Sequence, residues 1–214
     1  MKDQLYRKGL EAYKANDYNE AEKHLLEAVE LGSIEAMHML GTMHQWHWQE
    51  NIDKEKAAMY YRKAIEQGGD IGSMMCMGMM CEQRPYNDYN AAIQWYEMAA
   101  GHGSGDAMCV LAWMYDRGYD IPQDYDKAIK WYHKAAEIGY SGGYHGLGTM
   151  YAEGQGVPKN DKKAFKLFLK SAEMGYELAF GSLARCYEYG IGVSADKIQA
   201  MKWYRLAADR KSVV

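Results

Sequence analysis

Proline is nearly missing from this sequence, with three among 214 residues. So few helix breakers, beside abundant Ala, Met, Glu and Lys, favour helix over loop-rich folds. Cysteine is scarce as well. Cys76, Cys81, Cys109 and Cys186 are irregularly spaced, and no Cys-x-x-Cys pair occurs. That pattern excludes a regular disulfide framework and reads as reduced structural thiols in a cytosolic protein. Long apolar runs are absent. The longest, "IGSMMCMGMMC" at 71–81, is far too short to span a bilayer, so no membrane partner is expected. Clusters of Lys and Arg are absent too. The 25 basic and 29 acidic residues are intermixed, with net charge −4, which argues against a nucleic-acid surface. "MKDQLYRKGLEAYKA" has no charged-then-apolar segment of signal-peptide type. The expected location is therefore the cytoplasm. No stretch alternates with period two, so no strands are expected.

What is present is repetition. The segment "KAIKWYHKAAEIG" (127–139) recurs at 56–68, 90–103, 163–175 and 199–211, with a more distant copy, "EAEKHLLEAVELG", at 20–32. Its leading alanine falls at Ala21, Ala57, Ala92, Ala128, Ala164 and Ala200, at intervals of 36, 35, 36, 36 and 36. A closing glycine falls at Gly32, Gly68, Gly103, Gly139 and Gly175, with Lys211 in the last copy. A second segment precedes five of these, as in "GYHGLGTMY" (143–151). It carries small residues at Gly41, Gly78, Ala112, Gly148 and Ala184. Large apolar residues stand four and one before this column. His44, Cys81, Tyr115, Tyr151 and Tyr187 stand three after it. Offsets of −4, −1, 0 and +3 trace one stripe of a helix. Each unit therefore predicts two helices and a glycine turn. Helix pairs that cannot bury their stripes alone must stack.

These residues resemble the Sel1-like repeat family, relatives of tetratricopeptide repeats with a slightly longer period. Residues 143–175 and 179–210 carry the family pattern, including Gly190, Gly192, Val193 and Trp203-Tyr204. The first unit, with Gly9, Tyr13, Asp17-Tyr18 and Glu20-Ala21, resembles a plain tetratricopeptide repeat. The resemblance implies an all-α, right-handed α-solenoid of about six helix-turn-helix repeats. Its divisions are a tetratricopeptide-like repeat at 1–34, five Sel1-like repeats at 35–211 in one continuous solenoid, and a tail at 212–214. It also implies a scaffold or adaptor that holds a protein or peptide in a concave groove lined by the first helices, with no cofactor.

In that groove the exposed positions are expected at −3, +1, +4 and +5 from the small column. From them come the expected partner contacts: Trp46, Met75, Met79, Trp113, Asp116, Arg117, His145, Arg185 and Tyr189. Gln45 is expected to be exposed beside Trp46. Met75, Met79 and Trp113 make the centre apolar between charged flanks, as protein-binding patches are composed. No polar capping helix follows the last unit, so a homodimer through the C-terminal end is a further expectation.

"HQWHWQE" (44–50) holds two histidines and two tryptophans. Alignment with the fifth unit puts His44 in the place of the core Tyr151, packed against the second helix. Trp46 or Trp48 would cap the layer or contact a partner. His44 and His47, with His38, are a weak metal set, because His38 lies on another helical face. No metal site is expected. "GYSGG" (139–143) imitates a nucleophile elbow and "GHGSGD" (101–106) a phosphate loop. Both sit at repeat junctions without a preceding strand and read as turns. No nucleophile–base pair is present, so no catalytic residues are expected. Two alternatives are an immunity-type inhibitor of a toxin, as one form of the scaffold, and hydrolysis of β-lactam-like substrates, which the resemblance implies through cysteine-rich relatives with a disulfide in each unit.

Overall fold

The computed structural model describes residues 1–47, 53–83, 86–118 and 121–211, apart from the side chains of 47 and 209–211. Twelve α-helices and no strand are found among the described residues. They form consecutive hairpins: α1 (Lys2–Lys14) with α2 (Tyr18–Glu30), α3 (Ile34–Thr42) with α4 (Lys54–Gly68), and α5 (Ile71–Glu82) with α6 (Tyr89–Gly101). There follow α7 (Gly105–Arg117) with α8 (Tyr125–Glu137), α9 (Ser141–Glu153) with α10 (Asp161–Glu173), and α11 (Glu177–Tyr189) with α12 (Lys197–Lys211). The chain forms two compact units, Met1–His102 and Gly103–Val214. Inside each, every helix packs on the one before and the one after it. This is the all-α repeat architecture of the solenoid class.

Each second helix starts at an aspartate or asparagine four residues before its leading alanine. Asp17, Asp53, Asp88, Asp124, Asn160 and Asp196 accept a hydrogen bond from the backbone N–H three residues on, at 2.9–3.1 Å. This satisfies one orphan donor of the helix N-terminus. In five hairpins the cap's own N–H donates to the carbonyl of the +3 residue of the first helix: His44, Cys81, Tyr115, Tyr151 or Tyr187, at 2.8–3.1 Å. One short polar residue thus closes the hairpin and starts its second helix.

Packing follows the small column. Gly41 lies under the Tyr61 ring, where a β-carbon would stand 2.5 Å away, and Gly148 lies under Phe168 at 2.6 Å. The aromatics four after the leading alanine, Tyr61, Tyr96, Tyr132 and Phe168, are buried, as are the small residues at seven and eight after it in α8 and α10. The first helices bury the −4, −1 and 0 positions as the stripe predicts, Tyr144 alone being only half-buried. They also bury the +2 column, Met43, Met80, Met114, Met150 and Cys186, which the stripe leaves out. A helix packed on two neighbours needs a wider apolar face than one stripe. Eight of the sixteen methionines are buried, as flexible side chains that fill irregular gaps.

Two local expectations change. The closing glycine of the second hairpin is Gly69, not Gly68: α4 runs to Gly68, and Gly69 takes the left-handed φ of 62° that ends it. The segment after α3 is a π-helical turn, Met43–His47. "GYSGG" and "GHGSGD" span turns between helices, with Gly139 and Gly103 at positive φ, Ser104 capping α7 and Ser141 already the first residue of α9.

Valine at position 148 would drive β-branches into the Phe168 ring. We expect Gly148→Val to lower the unfolding free energy in urea by about 1–3 kcal/mol. The loss in Gly148→Val/Phe168→Ala should be smaller than the sum of the single losses, because both changes act at one contact.

Candidate functional site

The first helices of the second unit frame two clefts. One, of about 480 Å³, is lined by residues of α7 and α9 with Tyr132, Tyr140, Tyr176 and Leu178. The other, of about 420 Å³, lies between α9 and α11 and includes Glu153, Lys159 and Arg185. Thr149 lines both.

Four of the expected contacts meet in the first cleft: Trp113, Asp116, Arg117 and His145. Trp113 is 47% exposed. Asp116 was expected on the surface at +4, yet it is only 5% exposed. Its backbone carbonyl accepts a hydrogen bond from Gln123 Nε2 at 2.7 Å, which folds the following loop against it. Arg117 Nε stands 3.6 Å from Asp116 Oδ2, while Asp116 Oδ1 is buried with no hydrogen-bond partner among the described residues. Burial pushes the Asp116 carboxyl up, Arg117 opposes this, and Glu153 adds to it. His145 bonds through Nε2 to Ser182 Oγ at 3.0 Å and touches the Phe168 and Tyr176 rings. Burial pulls its pKa down to about 4. Burial also pushes the Cys109 thiol up to about 12. Both groups are therefore neutral at pH 7.

Arg185 is exposed and lines the second cleft, and Tyr189 is 65% exposed and lines neither. Trp46, Met75 and Met79 belong to the first unit. Trp46 is 50% and Met79 37% exposed, whereas Met75 is half-buried. Gln45, expected to be exposed, is buried and accepts a hydrogen bond from the Tyr61 hydroxyl at 2.7 Å. The π-helical turn rotates Gln45 inward and leaves Trp46 outward. His44 is buried and stacked on Tyr60 at 5.7 Å, in the core place expected for it. His38 faces Ser73 Oγ at 3.0 Å and Asp70 Oδ2 at 3.1 Å. No group of three His, Cys, Asp or Glu side chains suited to a metal stands among the described residues. The His47 side chain and Trp48 lie outside them.

Sequence reasoning missed the tyrosines. Ser33, Asp70 and Ser104 cap α3, α5 and α7 through their side chains, but α9 and α11 begin at Tyr140 and Tyr176, which make no side-chain cap. A cap is typically worth ~1 kcal/mol. Two consecutive hairpins forgo it, and both tyrosines line the cleft. Tyr140 instead donates its hydroxyl proton to the Asp106 carboxylate. The visible signal was Gly-Tyr at 139–140 and 175–176, where the earlier copies have Ser or Asp.

The neutral His145 makes stability pH-dependent. Its folded pKa lies near 4 against 6.5 for the free side chain, so the unfolded chain binds the proton first. Its contribution is whole above pH 6.5 and is lost as pH falls toward 4. We expect the unfolding free energy of the native protein to drop, relative to that of His145→Gln, by about 2–3 kcal/mol between pH 7 and 4.5. Parallel urea titrations of the two proteins check this.

Comparison with known proteins agrees with this architecture. The Sel1 repeat family model matches residues 4–33, 34–69, 71–104, 105–140, 141–176 and 177–212. The chain is similar to a Sel1 repeat protein from Oxalobacter formigenes, with 28% identity and TM-score 0.77 over 96% of this chain and 82% of that one. It is similar also to c5321, a protective antigen present in uropathogenic Escherichia coli strains displaying an SLR fold, with 28% identity and TM-score 0.76. That match covers 98% of this chain but 46% of the antigen, so this chain spans less than half of that protein's length. Immunity protein Pa5087 from Pseudomonas aeruginosa shares the fold at 21% identity and TM-score 0.62, over 97% of this chain and 81% of that one. No curated protein matches the chain. Six matched blocks that coincide with six helical hairpins establish that the chain belongs to the Sel1 repeat family.

Proposed function

We propose that this chain is a non-enzymatic scaffold or adaptor that binds a protein or peptide partner in the clefts of its second unit, in a bacterial regulatory role. Sel1 repeat proteins are protein-interaction scaffolds. The observation that carries the reading here is the first cleft. An exposed tryptophan and Arg117 line it, and two helices that lack side-chain caps begin at tyrosines in its wall. Large aromatics and arginine are the residues on which binding energy concentrates. Arg185 extends the contact into the second cleft. Trp46, Met75, Met79 and Tyr189 are further contacts in this proposal. The immunity-type reading is the special case in which the partner is a toxin, and the likeness to the Pseudomonas aeruginosa protein supports it by fold alone.

The test is affinity capture from native lysate with the wild-type chain and with Trp113→Ala/Arg117→Ala. A partner enriched by the wild type and depleted with the variant is expected, with at least 1 kcal/mol lost for a central tryptophan. Equal recovery by both proteins would remove the partner from this cleft.

Homodimerisation through the C-terminal end is the second contact we propose. Ile198, Met201 and Leu206 of α12 are exposed, and apolar side chains grouped on one helix favour association. Light scattering at micromolar concentration should give twice the 24.4 kDa chain mass for the wild type and the single mass for Met201→Glu. A monomeric wild type would end this reading.

A further inference from the structure

We infer that the second cleft of the second unit is a socket for one aromatic side chain of the partner, at a place where this hairpin omits groups that the others carry. The inference rests on the reading that the clefts bind a protein or peptide, and it names the side chain that this one takes.

The repeat itself reveals the gap. In the hairpins from α3 onward, the +4 residue of the first helix is Gln45, Glu82, Asp116, Ala152 or Glu188. The aromatic four after the leading alanine is Tyr61, Tyr96, Tyr132, Phe168 or Tyr204. These two positions meet across the hairpin. The hydroxyls of Tyr61 and Tyr204 donate to Gln45 and Glu188 at 2.7 Å, and that of Tyr96 donates to Glu82. The α9–α10 hairpin carries neither half of the pair. Ala152 ends at a methyl group, and the Phe168 ring has no hydroxyl. Both residues line the second cleft, together with Cys186 and Ile191. An acceptor and a hydroxyl are thus missing together where a cleft of about 420 Å³ opens.

The wall selects the occupant. Its hydroxyls are already engaged: Thr149 donates to the His145 carbonyl at 3.2 Å, and Ser182 to the Leu178 carbonyl at 3.4 Å. A polar group entering beside Ala152 and Phe168 would give up water and find no hydrogen bond from either. An apolar group gains by leaving water. An aromatic ring gains further, because the Phe168 ring can meet it edge to face. The rim suits the backbone that carries such a ring. Lys159 and Asp161 stand 3.6 Å apart as an ion pair. Glu153 and Arg185, both exposed, offer an acceptor for a peptide N–H and donors for a peptide carbonyl.

The experiment uses the whole chain and two five-residue peptides with blocked ends, Gly-Ser-Phe-Ser-Gly and Gly-Ser-Ala-Ser-Gly. Binding is followed by the δ1-methyl resonance of Ile191, assigned with Ile191→Val. The phenylalanine peptide should shift that resonance saturably, and the alanine peptide should bind about tenfold more weakly or less, as burial of a phenylalanine ring requires. Ala152→Gln/Phe168→Tyr installs the pair found in the α3–α4 hairpin. It should fill the socket and erase the preference for phenylalanine. If that protein does not fold, Ala152→Leu fills the same space with an apolar group and should erase the preference likewise. Equal binding of both peptides by the wild type, or an undiminished phenylalanine preference in the filled variant, would overturn the inference. If neither peptide shifts Ile191, the inference also fails. The scaffold reading is judged separately, by whether the partner captured from lysate depends on Trp113 and Arg117.

Discussion

Everything in each unit depends on how closely two helices of a hairpin can approach. The distance is set by a residue without bulk facing an aromatic ring: Gly41 under Tyr61, and Gly148 under Phe168. A β-carbon in either place would overlap the ring, so the contact admits one geometry and little slack. That approach brings the apolar stripes of both helices into register. It also lets the Asx residue at the start of the second helix reach back to the carbonyl of the first. The hairpin is closed at one end by packing and at the other by hydrogen bonds.

A rigid hairpin has consequences for its outer positions. The −3, +1, +4 and +5 residues lie outside the main stripe, though Gln45 and Asp116 are buried, and in the second unit several of them wall a cleft. Part of that wall comes from elsewhere. Tyr140 and Tyr176 occupy N-cap positions, where Ser33, Asp70 and Ser104 serve the earlier hairpins. The local helix signal is weakened, and the cleft gains two aromatic side chains. Departures from local consistency of this kind concentrate at functional sites.

The electrostatics of the cleft follow from burial. Ionisable side chains removed from water without a partner lose their charged form. His145 and Cys109 do so at no cost at neutral pH, since their neutral forms are the ordinary ones there or nearly so. Asp116 responds in the same direction. Burial pushes its carboxyl up, Arg117 beside one oxygen opposes this and Glu153 adds to it, and the other oxygen has no hydrogen-bond partner among the described residues.

Periodicity was enough to find the hairpins, because the small column, the leading alanines and the aromatic four residues later repeat at nearly constant intervals and each obeys helical spacing. The capping Asx residues repeat on the same period, so they too were visible in principle. His44 could be placed in the core because alignment put it where Tyr151 stands. Tertiary structure decided the rest. Gln45 turns inward and Trp46 outward because a π-helical turn breaks the 3.6-residue period on which face assignments rest. The +2 methionines are buried because a helix between two neighbours has no free opposite face. Asp116 is buried although its helical offset puts it on the outer face, and Gln123, seven residues on, bonds to its carbonyl; helical spacing records no such contact. The sequence alone therefore determined the repeat and its core, which depend on local spacing. Which groups meet in the cleft was decided by residues of four helices and two turns that lie up to 72 positions apart, from Asp106 to Leu178, and only packing brings such distant residues together.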